Sequence, residues 1–352
     1  MRDVFKMKVE IDELNTEFYN IDENECFVIS NLFKENGTYK RIPQELAEKL
    51  NPGVLDQHSS TAGGRVRFKT DSKVIAFKVK MGKVRLDSNT AITGNAGFDV
   101  YERINGEQFF VSNVMAPFDV DESFEAIVNH KKDGMKEYVI NFPMWSDVRE
   151  LCIGLEKGAK LEKPDDYTYS KPVVFYGSSI TMGKCLSRPG CSYENILSRR
   201  LDMEYTNLGF GGSAKGEKEI AEYISELDMS VFVLDYDWNA PNVQYLKDTH
   251  EAFFKIIREK QKNLPILMMS RPKYYLTEIE KERKAVVEQT YKNALANGDK
   301  NVYFIPGNTL MDDKVKDDGT VDGVHPNDAG FFSMANVIEP VLRKILENKK
   351  DA

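Results

Sequence analysis

Four short clusters in the second half of the chain carry groups suited to acyl transfer. In the first, Val173-Val174-Phe175-Tyr176 runs into Gly177-Ser178-Ser179-Ile180-Thr181. So short an apolar run reads as a strand buried on both faces, and the glycine lets the chain turn sharply where it ends. A serine placed there has backbone N–H donors and a helix N-terminus close by. In the second, Asp322-Gly323-Val324-His325 lies just before the last predicted helix. A carboxylate three residues before a histidine can accept its Nδ1–H, fix the tautomer and leave Nε2 outward as a general base. The same spacing also suits a loop merely capped by Asp. In the third, Asn207-Leu208-Gly209-Phe210-Gly211-Gly212-Ser213 has glycines spaced so that a backbone N–H can approach a ligand as an oxyanion donor. Their spacing is not that of a dinucleotide-binding turn. In the fourth, Asp237-Trp238-Asn239-Ala240-Pro241-Asn242, either Asn239 or Asn242 could add a side-chain N–H.

These clusters need a scaffold that brings them to one edge. From Pro172 onward the pattern alternates strand and helix, which implies parallel strands with helical crossovers. Strands are predicted at Pro172-Tyr176, Glu204-Asn207, Met229-Leu234, Ile266-Met269 and Val302-Ile305. Helices are predicted at Tyr193-Leu201, Glu217-Glu226, Val243-Lys262, Thr277-Ala296 and Asn327-Asn348. Each cluster follows a different predicted strand, at the edge where open α/β sheets bind ligands. His250, mid-helix among charges, is expected on the solvated surface. The preceding part reads differently. Gly64-Thr70 and Val74-Met81 alternate polar and apolar residues, and Phe98-Arg103 and Gln108-Val111 flank Asn105-Gly106, a strong hairpin signal. Further strands are expected at Phe124-Val128, Lys136-Phe142 and Glu150-Leu155, with one helix at Pro43-Leu50. Many short strands predict a sandwich or jelly roll. Lys157-Lys171 reads as a linker, dividing the chain into a β domain (1–168) and an α/β domain (169–352).

The 352 residues carry a net charge of −8, which argues against a nucleic-acid or acidic-membrane partner. Neither the four histidines nor the four cysteines show paired metal-ligand spacing, so no metal and no cofactor is expected. Met1-Asn15 is charged and lacks an apolar core of the signal-peptide kind, and no apolar run is long enough to span a bilayer. These features predict a cytoplasmic protein whose Cys185 and Cys191 are reduced thiols.

With these clusters in place the sequence resembles the SGNH, or GDSL-type, hydrolases. Gly177-Ser178-Ser179-Ile180 is similar to the family's Gly-Asp-Ser-Leu block, with Ser178 for the Asp, and the match makes Ser179 the nucleophile. Asn207-Gly212 is similar to the second block and assigns an oxyanion N–H to Gly212. Asp237-Trp238-Asn239 stands where the third block has Gly-x-Asn-Asp; Asn239 takes the Asn role, while the glycine and the following Asp are absent. Asp322-Gly323-Val324-His325 matches the Asp-x-x-His block. A closer resemblance is to a two-domain branch with an N-terminal β-sandwich, whose first block has the form Tyr176-Thr181 followed by Ser187-Arg188-Pro189-Gly190. The resemblance implies a three-layer α/β/α, flavodoxin-like domain with five parallel strands. It also implies a Ser179-His325-Asp322 triad, with an oxyanion hole from the Ser179 and Gly212 N–H groups and the Asn239 side chain. The implied activity is hydrolysis of short acyl, chiefly acetyl, esters, on carbohydrates as the expected substrate. Trp238 would contact the sugar, and Arg188 would hold either a polar substrate or its own loop. The alternatives are a carbohydrate-binding protein with an inactive hydrolase domain, or a lipase- or thioesterase-type member. The chain lacks the Gly-x-Ser-x-Gly elbow of ordinary α/β-hydrolases.

Overall fold

The computed structural model describes residues 11–13 and 15–350, so most of the charged N-terminal stretch lies outside the described residues. Two compact units emerge. One comprises the chain up to Arg41, Ser59–Asp166 and Ser187–Gly190; the other comprises Ile42–His58, Tyr167–Leu186 and the chain from Cys191 onward.

The first unit is antiparallel β. One sheet runs Thr16–Asn20, Val148–Glu156, Val74–Met81, Ser123–Asn129. The other runs Leu161–Glu162, Arg65–Thr70, Lys136–Asn141, Phe98–Ile104, Glu107–Val114, with Val28–Ser30 also paired to Arg65–Thr70. Inward residues of both sheets, including Ile75, Phe77 and Val79 of one and Phe68, Val100 and Tyr138 of the other, share one core. That is how alternating strands bury a single face each. The Asn-Gly hairpin forms as expected, with Asn105 at φ 52° and Gly106 at φ 86° between paired Ile104 and Glu107. The segment expected to be a linker is partly structured. Leu161–Glu162 adds to the Arg65–Thr70 strand, and Asp165 accepts from Arg67 Nη1 and Lys69 Nζ at 2.6 Å each. The Arg67 bond goes to the Asp165 backbone carbonyl and the Lys69 bond to its carboxylate, so this part of the segment is tied to the sheet.

The second unit holds five parallel strands in the order Met203–Gly209, Tyr169–Gly177, Val231–Asp235, Ile266–Met269, Val302–Ile305. By sequence this is 2-1-3-4-5, the flavodoxin-like order. Gly177 is level with both Gly209 and Asp235, so the central three strands end together and release their loops at one edge. Tyr193–Leu201 packs with Asp328–Lys350, while Lys218–Ser225, Val243–Lys260 and Glu278–Ala296 pack in series, giving three layers. Val174, Tyr176, Phe232 and Leu234 meet the helix residues Ile220, Leu246 and Phe253 in one core, and on the other face Phe175 meets the Tyr193 ring edge-on at 5.6 Å. Among the described residues no helix is long and apolar enough to cross a membrane.

Two further findings depart from the sequence reading. Within the predicted Pro43-Leu50 helix only Gln44–Ala47 is helical, and a second short helix follows at Pro52–Gln57, both in the second unit. His250 is not a surface residue. It is 1% exposed, pairs through Nδ1 with Thr290 Oγ1 at 2.9 Å, and stacks on Tyr236. Burial pulls its ring pKa down to about 4. The reason is helical period: Leu246, Phe253, Phe254 and Ile257, all buried, share its face, while its charged neighbours in sequence lie elsewhere on the helix.

Candidate active site

The first strand ends at Gly177, and a Cβ added there would lie 2.1 Å from Thr181 Oγ1 and 2.4 Å from the Asp235 carbonyl oxygen. Only glycine fits that approach. Ser178 is extended (φ −80°, ψ −163°), and its hydroxyl accepts the Ile180 N–H at 3.2 Å, capping the one-turn helix Ser179–Met182. The two adjacent serines thus divide into a buried cap and a half-buried residue at the first helical position. Position one also leaves the Ser179 N–H without a partner inside the helix.

The Asp322–His325 turn meets this serine. His325 Nε2 lies 2.9 Å from Ser179 Oγ, and His325 Nδ1 lies 2.8 Å from Asp322 Oδ2. Asp322 Oδ1 accepts the backbone N–H groups of His325 at 2.8 Å and Val324 at 3.0 Å. Partial burial opposes the Asp322 charge, but the His325 N–H, the His325 ring and the Val324 N–H together hold this carboxyl well below the usual carboxylate range. The turn is closed by Val321 N–H to the His325 carbonyl at 2.9 Å, and Arg271 Nη2 donates to the Gly323 carbonyl at 3.3 Å. Among the four histidines it is His325 that reaches a serine. His58 bonds to Leu55 and Gln44, and His130 to Tyr138.

Gly212 has φ 66°, a left-handed conformation suited to glycine. Asn239 Nδ2 donates to the Phe210 carbonyl at 3.0 Å, so the loops after the second and third strands are tied together beside Gly212. An amide nitrogen has two hydrogens, and this bond uses one. Asn242, the alternative donor, instead caps the next helix, its Oδ1 accepting the Tyr245 N–H at 2.8 Å. Trp238 is half-buried, with the Arg271 guanidinium 3.7 Å from its ring centre and Arg283 at 5.2 Å. Arg188, in the first unit, donates from Nη1 to buried Asp99 at 2.9 Å and to the Tyr101 hydroxyl, and lies 4.2 Å over Phe110.

Several supporting residues escaped the sequence reading. Asn207 Oδ1 accepts the Gly209 N–H at 2.9 Å, and its Nδ2 donates to the Thr181 carbonyl at 2.5 Å, bracing the nucleophile turn from below. Thr181 Oγ1 donates to Asp235 Oδ2 at 3.2 Å; burial raises this carboxyl well above its usual value, with help from Asp237. Gln57 Nε2 donates to the Gly211 carbonyl at 2.9 Å, and Asn51 Nδ2 to the Ser213 carbonyl at 2.8 Å. Asn51-Pro52 has the cap-then-proline form of a helix start, the one signal that marked this segment. Cys185, Asp322 and His325 also present atoms of metal-binding type within 4.8 Å of one another.

A profile of the GDSL-like lipase/acylhydrolase family matches residues 170–343, and one for the N-terminus of SGNH-hydrolase-type esterases matches residues 16–161. Among solved structures, a protein described as a GDSL-like lipase from Bacteroides ovatus ATCC 8483 is 26% identical with a TM-score of 0.84, over 95% of this chain and 98% of that one. A salicylyl-acyltransferase from a tetracycline biosynthetic pathway is 20% identical with a TM-score of 0.76, over 94% and 97%. An acetyl xylan esterase from Butyrivibrio proteoclasticus is 13% identical with a TM-score of 0.61, over 95% and 99%. None of the curated proteins compared with the chain matches it.

Proposed function

The chain belongs to the GDSL-like lipase/acylhydrolase family of SGNH-type esterases, and from that premise we propose that it is a serine esterase acting on short acyl esters through Ser179, His325 and Asp322. The observation that carries the reading is the continuous relay of 2.9 Å from Ser179 Oγ to His325 Nε2 and 2.8 Å from His325 Nδ1 to Asp322. His325 Nε2 takes the hydroxyl proton as Ser179 Oγ bonds to the acyl carbon. The carbonyl electron pair moves to oxygen, where the Ser179 and Gly212 N–H groups and Asn239 Nδ2 stabilise it. Asp322, ionised throughout, balances the imidazolium. As the intermediate collapses, His325 passes the proton to the departing alcohol. Water then repeats the sequence on the acyl-Ser179 ester. Labelling with a fluorophosphonate tests this directly: Ser179 is the residue modified, and modification of Ser178 instead overturns the assignment.

The alcohol is a carbohydrate and the acyl group is acetyl in this reading. Supporting it are half-buried Trp238 and exposed Asn242 on the site loops, and the acetyl xylan esterase among the fold relatives. Arg271 covers one face of Trp238, so the sugar meets what remains exposed of the indole. Arg188, committed to Asp99 and Tyr101, holds its own loop rather than substrate. Comparing kcat/KM for acetyl, butyryl and octanoyl esters, then for acetylated xylo-oligosaccharides against a simple acetate ester, tests both parts. A preference for octanoyl defeats the short-acyl part, and equal rates on sugar and simple alcohol defeat the carbohydrate part.

A further inference from the structure

One group beside the triad has no role in the acyl-transfer steps. Cys185 lies just after the nucleophile helix, 6% exposed, with its backbone in the left-handed region at φ 71°. Residues bearing a Cβ seldom adopt that conformation. The turn is closed by the Lys184 N–H donating to the Ser179 carbonyl at 2.9 Å, so the thiol's place is set by the nucleophile turn itself. Its Sγ, a carboxylate oxygen of Asp322 and a ring nitrogen of His325 lie within 4.8 Å of one another. Among the described residues, no other group of three such side chains has that spacing.

We propose that Cys185, Asp322 and His325 form an inhibitory site for a thiophilic divalent cation, Zn²⁺ before all others, whose occupancy switches the esterase off. The inference rests on the reading of His325 as base and Asp322 as its orienting carboxylate. Thiolate, imidazole and carboxylate are the ligand types zinc takes, and sulfur disfavours Mg²⁺ and Ca²⁺. Bonds of about 2.0–2.3 Å to a tetrahedral ion place ligand atoms roughly 3.3–3.8 Å apart. Side-chain rotations moving the atoms by about an ångström therefore close the site, with water or the Ser179 hydroxyl as fourth ligand. Charge also balances: one thiolate and one carboxylate neutralise the dication. Binding is ligand exchange without redox. The Cys185 S–H proton passes to solvent, an S–Zn bond forms, and the imidazole donates a lone pair to the ion. At Nε2 the ion takes the lone pair that would accept the Ser179 proton. At Nδ1 it takes the place of the proton held towards Asp322, and that single ring proton moves to Nε2. Either way the base is lost until the ion leaves.

The test titrates chelator-treated full-length protein with Zn²⁺ while following p-nitrophenyl acetate hydrolysis, and separately with Co²⁺ while following the thiolate-to-cobalt charge-transfer band. The expected result is inhibition reversed by EDTA, with Cys185→Ser raising the half-inhibiting Zn²⁺ concentration by about tenfold or more, since even an outer-sphere change costs that much affinity. The rate of Cys185→Ser without metal stays within about twofold of the parent, because the thiol takes no part in the steps above. Should Cys185→Ser fold poorly, Cys185→Gly serves, as glycine favours this backbone conformation. The cobalt band is read on Ser179→Ala, so the cation site is tested whether or not the chain turns over esters. One cobalt per chain with the band, lost in Ser179→Ala/Cys185→Ser, supports the site. Equal Zn²⁺ sensitivity with and without Cys185, or a band that survives its removal, overturns it. A Cys185-dependent band without inhibition of hydrolysis supports the cation site, overturns its inhibitory role and counts against His325 as base.

Discussion

Replacing Asp322 by Asn is the sharpest test of how the base is oriented. The variant keeps Oδ1, which accepts the Val324 and His325 N–H groups at 3.0 and 2.8 Å, so the turn retains its anchor. The atom facing His325 Nδ1 changes from the acceptor Oδ2, now 2.8 Å away, to an NH₂ donor. The ring must then turn its Nδ1 lone pair towards the new amide and carry its proton on Nε2. From there it donates to Ser179 Oγ, 2.9 Å away, and no longer accepts from it. The same change of tautomer in a serine triad costs about 10⁴ in kcat, or about 5.5 kcal/mol of barrier. Substrate contacts are untouched, so KM should stay within about threefold. The assay is saturation kinetics on p-nitrophenyl acetate, with thermal unfolding to show an intact fold. A kcat within about tenfold of the parent, in a protein that melts normally, would refute the tautomer argument and remove Asp322 from the mechanism.

Ser178→Ala deletes the cap on the nucleophile helix and should lower stability by about 1 kcal/mol while much activity persists, whereas Ser179→Ala should abolish turnover; denaturant titration beside esterase rates separates them. Asn239→Ala removes one oxyanion donor and its tether to Phe210, and kcat should fall by about 10²–10³; a loss below about fivefold would take Asn239 out of the hole. His250→Gln should flatten part of the pH dependence of stability. With a folded pKa of about 4 against about 6.5 unfolded, the unfolded state binds the extra proton between those values. The neutral ring's contribution is therefore complete above about pH 6.5 and is lost as pH falls to about 4, a change of roughly 3 kcal/mol. Unfolding free energies of parent and variant measured across that window should converge towards the acid end; a constant difference would mean His250 is not held neutral by burial.

Local structure was legible in the residues alone. Val173–Tyr176 into glycine, the Asn-Gly hairpin and the long amphipathic helices each carry their periodicity within a few residues, so the strands, the turns and the parallel architecture could be read from them. The Asp-x-x-His spacing likewise contains its own geometry, since both groups sit on one turn. Tertiary structure decided whatever depends on partners distant in the chain. His250 was misread because the residues beside it in sequence are charged while those on its helix face are apolar, and only packing against Tyr236 and Thr290 makes it a core residue. The separation of Ser178 from Ser179 follows from where a helix begins, a matter of one residue that composition does not resolve. Gln57 and Asn51 reach Gly211 and Ser213 from far back in the chain, and Cys185 meets Asp322 and His325 only because the first strand and the last loop end at the same edge of the sheet. Side chains can carry a chemical type in sequence, but their distance from one another is set by the fold.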